Sequence, residues 1–370
     1  MKKILLVGQT PPPYGGQFIM IQKTLNANYK NAILYHIRLG LSDDMGEIGK
    51  FKFKKIFRLL IAVIKIYWYR LFYHIPILYY FPASPNLIPV IRDIIILLPT
   101  RWMFKKVIFH FRAGGLGNYY NQLPILLRYF YRKVYYFPDI AIRLTPFSPD
   151  DAKAIKAKHE YIIPNGIDDI AIDYLSGSYQ VKDKENSLMI HILYVGVISE
   201  VKGVMNLLES CNRLWSKGFR FVIDLVGEFE SSEFKNKVSS YIEKNNIKSG
   251  VVMHGLCTGD KKWSLYAGAD IFCFLSHASY ETFGNVLLEA MSFELPIVAT
   301  NWSGIPYVVD ENCAFIVPIN DIELIAEKIK ILIENPTIRL KMGKNGRKRF
   351  LENYTIEKYY EKIDEVFKQL

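Results

Sequence analysis

The sequence predicts an α/β protein made of two domains, each a doubly wound parallel sheet, and three observations carry that prediction. The chain has 370 residues, too many for one ordinary core and suited to two of about 150 to 200 residues each. Short apolar runs, several of them closed by Gly, alternate with longer amphipathic stretches, the pattern of strands buried on both faces and joined by crossover helices. Near the middle, residues 169–186 are polar, acidic and glycine-containing, the composition of a segment between domains.

In the first half, Ile4–Gly8 reads as a buried strand. QTPPPYGG, residues 9–16, follows, and then a helix from Gln17 to about Asn28. Gly15 and Gly16 would let backbone amides approach a phosphate at that helix start, although a glycine pair after a strand is a weak signal alone. Phe51–Ile75 is rich in Lys, Arg, Phe, Tyr and Trp, and its longest uncharged stretch, Leu59–Ile64, is closed by Lys65 and followed by Arg70. It is too charged to span a bilayer simply, which leaves a core helix with solvated bases or a helix lying in a membrane interface. Ile77–Phe81 reads as a strand, Leu87–Phe104 as a helix and Lys106–Phe111 as a strand that runs into HFRAGGLGNYY, residues 110–120. Asp139–Thr145 is expected to be the last strand of this half, with IIPNGID, residues 162–168, leading out of it.

In the second half, Ile190–Gly196, Arg220–Gly227, Val251–Gly255 and Asp270–Leu275 read as strands, with helices over Gly203–Trp215 and Ser231–Asn245. A turn through Tyr280–Phe283 enters a helix near Gly284, Ile322–Ile333 and Pro336–Phe350 look like packing helices, and Thr355–Gln369 is a last amphipathic one. The expected division is a first domain over 1–168, a connecting segment over 169–186, a second domain over 187–354 and a terminal helix over 355–370.

Half of the residues are hydrophobic, which excludes global disorder. Of 47 Lys and Arg and 36 Asp and Glu, fifteen bases and a single acid, Asp93, lie between Ile48 and Pro138, leaving 32 and 35 elsewhere. The net charge of +11 therefore resides in the first half, where it suits phosphate, nucleic acid or an anionic membrane surface. Cys211, Cys257, Cys273 and Cys313 lack metal-ligand spacing and read as small core residues of a reduced, cytoplasmic protein. The apolar run of MKKILLV is too short for a secretion signal. No Walker sequence and no Gly-x-Gly-x-x-Gly after a strand is present, which argues against an NTPase or a dinucleotide oxidoreductase. Asp43–Asp44 and Asp150–Asp151 read as surface acids, and no metal cofactor is expected.

The richest stretch is SHASYETFGNVLLEAMSFELPIVATNWSGIP, residues 276–306, which joins a strand to a helix. Glu281 in its turn and Glu289 about a turn and a half into its helix are placed for one ligand. A carboxylate accepts two hydrogen bonds side by side, as the paired hydroxyls of a ribose require, and Gly284 lets backbone come close. Taken alone, two acids at this spacing favour a solvated loop acid and a polar helix face.

The surrounding residues add a resemblance. Tyr280, Glu281, Phe283, Gly284, Glu289, Ala290, Met291, Pro296, Ala299, Thr300, Gly304, Ile305 and Pro306 together resemble the donor-binding signature of family 4 retaining glycosyltransferases. PNGID, residues 164–168, resembles that family's entry to its hinge, and GVISEVKG, residues 196–203, its diphosphate clamp. Lys202 and Gly203 match the clamp, while Val197 stands where the family usually has Arg. A His commonly ends a strand near the reacting sugar, and here either His110 is that residue or Arg112 has replaced it.

The resemblance implies the GT-B fold, two Rossmann-like domains facing a cleft with the terminal helix crossing back to the first. It implies transfer from a UDP- or GDP-sugar with retention, without a metal. Catalytic candidates are His110, Arg112, Lys202 and Glu281. Donor-binding candidates are Gly15, Gly16, Gly196, Lys202, Glu281, Thr282, Phe283, Gly284, Asn285, Val286 and Glu289. QTPPPYGG and HFRAGG resemble bacterial capsule and O-antigen transferases, which implies a lipid-linked saccharide acceptor. With it goes an anionic membrane surface met through residues 50–75, at the inner face of the plasma membrane, and no nucleic acid. The rival readings are a nucleotide-sugar epimerase of the same architecture and an inactive basic module for membrane or nucleic acid.

Overall fold

The computed structural model describes residues 1–12, 15–40, 53–176 and 189–370. Pro13, Tyr14, Asp43, Asp44, Lys50–Lys52 and most of the expected connecting segment, through Ser187, lie outside the described residues. The chain forms two compact units, Met1–Asn165 with Glu357–Leu370, and Gly166–Ile356.

Unit 1 holds β1 (Lys2–Gly8), β2 (Ala32–Arg38), β3 (Ile77–Tyr80), β4 (Lys106–His110), β5 (Ile140–Arg143) and β6 (His159–Ile162). They form one parallel sheet in the order β2-β1-β3-β4-β5-β6. Asp139–Thr145 is thus not the last strand of this half. β6, HEYI, is an edge strand with exposed His159 and Glu160, so it shows no apolar run. β2 was equally hidden, because Tyr35 and His36 are only half-buried on the other edge. The expected Leu87–Phe104 helix ends at Thr100 and tightens into a 3-10 turn at Arg101–Met103, just after Pro99.

The core of unit 1 is aromatic, and Tyr79, Tyr80, Phe109, Tyr131 and Tyr135 are fully buried in it. Asp93, also fully buried, accepts hydrogen bonds from the Tyr80 hydroxyl, the Tyr135 hydroxyl and the Ala83 amide, each at 2.7 Å. Arg92 completes the set at 2.7 Å. A buried carboxylate persists only where donors and a counter-charge surround it, and here they do. The one acid of the basic tract is therefore a core residue.

The helix Ile356–Gln369 packs on unit 1 through most of its length. Tyr359 meets Thr24 Oγ1 at 2.6 Å, and Asp364 accepts from the Asn31 amide at 3.0 Å and its side chain at 2.8 Å.

Unit 2 holds β7 (Ile190–Val195), β8 (Phe221–Val226), β9 (Val251–Gly255), β10 (Ile271–Phe274), β11 (Ile297–Thr300) and β12 (Ala314–Val317). The order is β12-β11-β10-β7-β8-β9, all parallel. From β7 the chain winds outward through β8 and β9, then returns to lay β10, β11 and β12 on the other side. The order reverses between β7 and β10, and open parallel sheets bind ligands beyond the carboxyl ends of the strands at such a point. The four cysteines are buried and free.

Candidate functional site

Two loops leave the sheet at the reversal, Gly196–Gly203 after β7 and Leu275–Gly284 after β10. The His277 amide donates to the Val201 carbonyl at 2.8 Å and ties them together. Gly203 caps the helix Val204–Ser216 with φ +75°, and a Cβ there would overlap the Leu275 carbonyl. Both the left-handed backbone and the close approach require glycine. Gly203→Ala is accordingly expected to lose about 1–3 kcal/mol of unit 2 stability in urea titration, and wild-type stability would contradict this packing.

Within these loops, Lys202 Nζ donates to Glu281 Oε2 at 2.5 Å, and Ser276 Oγ reaches the same oxygen at 3.3 Å. Both side chains of the pair are nearly buried, at 15% and 12% exposure, so the interaction is far less screened than one at the surface. The Lys202 ammonium also lies 5.2 Å from the Tyr280 ring centroid. Tyr194 donates to the Val197 carbonyl at 2.7 Å, and its phenol is pushed up by burial and then by the Glu281 charge. Val197, in the place of the expected Arg, is exposed.

Gly284, at φ +77°, caps the helix Asn285–Ser292. Thr282, Phe283 and Glu289 are buried, and Asn285 and Val286 half-buried. Glu289 Oε1 accepts from Lys262 Nζ at 2.5 Å, and Oε2 from the Tyr266 hydroxyl at 2.7 Å. Burial first, and Glu289 second, hold the Tyr266 phenol well above its ordinary range, so it stays a donor. Glu281 and Glu289 thus each have their own lysine, Lys202 for Glu281 and Lys262 for Glu289.

Sequence reasoning missed Lys262 and Tyr266 together with their helix, Gly259–Gly268. Their spacing of four on a helix face was the available signal. It also missed Ser276 and His277, whose Nδ1 is buried with no partner among the described residues, as is Ser199 Oγ.

In unit 1, Gly15 caps the helix Gly16–Asn26, so Gly16 and the residues after it present the helix-start amides. His110 ends β4 and is fully buried, sharing a 2.6 Å hydrogen bond through Nδ1 with the Tyr79 hydroxyl. Burial and then the nearby Arg112 hold its imidazole well below the usual range, hence neutral. Arg112 donates to Asn165, to the Tyr359 hydroxyl at 2.7 Å and to Thr24 Oγ1 at 3.4 Å. Its guanidinium therefore joins the terminal helix to the sheet end, a packing duty that the sequence did not reveal.

Over the whole chain the fold is shared with solved GT-B structures. Sucrose-phosphate synthase from Thermosynechococcus elongatus superposes with a TM-score of 0.73 at 18% identity, covering 100% of this chain and 99% of that one. HepE from Anabaena, solved with UDP-glucose, gives 0.71 at 16% identity, covering 100% of each. The protein has the GT-B fold of two parallel six-stranded sheets with flanking helices. Residues 180–349 match the family model Glycosyl transferases group 1.

Among curated relatives, the capsular polysaccharide biosynthesis glycosyltransferase CapM of Staphylococcus aureus is 31% identical over 175 residues, 47% of this chain and 44% of CapM. The O-antigen chain mannosyltransferase C of Escherichia coli is 26% identical over 167 residues, 45% of this chain and 43% of that protein. The chain matches less than half the length of either relative.

Proposed function

We propose that the protein is a retaining glycosyltransferase that moves a sugar from a UDP- or GDP-sugar to a hydroxyl of a lipid-linked saccharide in bacterial surface polysaccharide synthesis. The observation that carries this reading is the Lys202–Glu281 pair, set where β7 and β10 diverge and just before the helix start at Gly284. The names of the capsule and O-antigen relatives and the UDP-glucose bound to HepE support the substrate classes.

Breaking the bond between sugar and diphosphate builds negative charge on the leaving phosphate, which preorganised cations and amides stabilise. In this reading Lys202 exchanges Glu281 for the arriving diphosphate, and the freed Glu281 accepts hydroxyls of the transferred sugar beside the Phe283–Asn285 backbone. Glu289 accepts the ribose hydroxyls, held in place by Tyr266, while Lys262 keeps its charge balanced until the donor binds. Within unit 1, the Gly15–Gly16 helix start presents amides suited to an anionic group, and the buried His110 imidazole is uncharged. Cations and amides carry the leaving group, so the reading invokes no metal. Retention follows from attack on the face the diphosphate leaves. The enzyme would work on the cytoplasmic face of an anionic membrane, met through the basic, aromatic stretch 50–75.

Incubation with UDP- and GDP-sugars tests the reading. It requires nucleoside diphosphate release that depends on a polyprenyl-linked saccharide, and a product with the donor's anomeric configuration by NMR. An inverted product would refute retention. An epimerised nucleotide sugar formed without acceptor would refute transfer and establish the epimerase.

A further inference from the structure

We infer that the membrane contact is a continuous face of three helices in unit 1, built to lie on an anionic bilayer, and not the single stretch 50–75. The inference rests on the membrane partner proposed above and extends it to elements that no comparison assigns.

The helices Phe53–Phe72, Leu87–Thr100 and Ile125–Tyr135 connect β2 to β3, β3 to β4 and β4 to β5. Each crossover steps the same way across the sheet, and right-handed connections then put all three on one face. They are stitched side by side. Tyr67 donates to the Pro99 carbonyl at 2.8 Å and Arg70 to Met103 at 2.7 Å, while Arg101 donates to Val134 and Tyr136, each at 2.6 Å. Their inner sides carry Leu59, Ile66, Leu97 and Val134 into the core.

A surface layer of this kind ordinarily turns polar residues outward. Here the outer side is apolar on all three helices and the turn between them. Ile64 is 66% exposed, Trp102 74%, Ile125 86% and Leu126 66%, with Trp68 and Ile91 exposed between them. An apolar patch this wide marks an interaction site. Lys65, Lys105, Arg132 and Lys133 are exposed among these residues, whereas Asp93, the one acid from 56 to 138, is sealed in the core. The face is therefore apolar and predominantly cationic, and Asp139, which lies beside Trp102 and Lys133 at its edge, is paired with Lys158 at 2.7 Å.

That combination selects its occupant. A second copy of the chain would bring like charges together, a juxtaposition that costs several kcal/mol. Anionic headgroups instead attract each base near the surface by about 1 kcal/mol, and Trp and Tyr favour the headgroup level. Among the described residues no helix is long and apolar enough to cross a membrane, so the contact lies along the surface.

Flotation of the full chain with phosphatidylglycerol–phosphatidylethanolamine vesicles, against phosphatidylcholine alone, tests this. The wild type is expected to float with the anionic vesicles only. The triple variant Trp102→Ser, Ile125→Ser, Leu126→Ser lies outside 50–75 and removes no core contact. It is expected to bind the vesicles about tenfold or more weakly with an unchanged melting midpoint and unchanged nucleotide affinity. Undiminished binding of the triple variant, together with loss in Ile64→Ser, Trp68→Ser, would overturn the three-helix face and leave the single stretch. Failure of the wild type to float would overturn the membrane partner itself, whatever donor turnover showed. A wild-type dimer in light scattering that the triple variant dissociates would replace the bilayer with a second copy.

Discussion

Glu281→Ala is expected to lower kcat by about 10²–10³ while leaving the fold intact. Glu281 sits in a turn, where its side chain engages Lys202 and Ser276, and its amide bond to the Ala278 carbonyl at 3.0 Å survives the change. The loss has two sources. The sugar loses an acceptor for its hydroxyls, and Lys202 loses the neighbour that aims its ammonium before the diphosphate arrives. Steady-state kinetics with a far-UV spectrum as control reads the outcome, and wild-type turnover in a folded variant would remove Glu281 from the mechanism.

Asp93→Ala has the largest expected effect on stability, a loss of about 3–5 kcal/mol from unit 1. The substitution strands two buried phenols, the Ala83 amide and Arg92, all of which now converge on one carboxylate. Both phenols are held well above their ordinary range, first by burial and then by Asp93, so neither can ionise to compensate. Asn at this position retains the shape but loses the charge, and is expected to fall between wild type and Ala. Urea titration followed by tryptophan fluorescence measures the difference, since Trp68 and Trp102 lie in unit 1. A loss under about 1 kcal/mol would show that the cluster relaxes or admits water.

What the sequence made legible was unequal. Strands buried on both faces, such as Ile4–Gly8 and Ile190–Gly196, stand out as apolar runs, and the motif around Glu281 and Glu289 names its own carboxylates. The edge strands β2 and β6 do not stand out, because one or both of their sides meet solvent and their composition is mixed. β11 and β12 span four residues each, no fewer than β3, β5 and β10, and escape notice because they lie beside the richer motif and the packing helices. Lys262 and Tyr266 were illegible for a different reason. Their role comes from a meeting with Glu289, which is distant in sequence and settled only by the way β10 returns beside β7. Asp93 was visible as the one acid in a basic tract, yet burial and four donors had to be seen before that isolation meant a core residue.

The measurement that tests the account most directly is the thermal stability of wild type and Glu289→Ala across UDP, GDP and ADP. One nucleotide is expected to stabilise the wild type, by about 2.7 kcal/mol at a hundredfold excess over its Kd, and to lose that effect in the variant. A wild type that none of the three stabilises, or a variant stabilised as strongly as the wild type, would contradict a donor site built on Glu289.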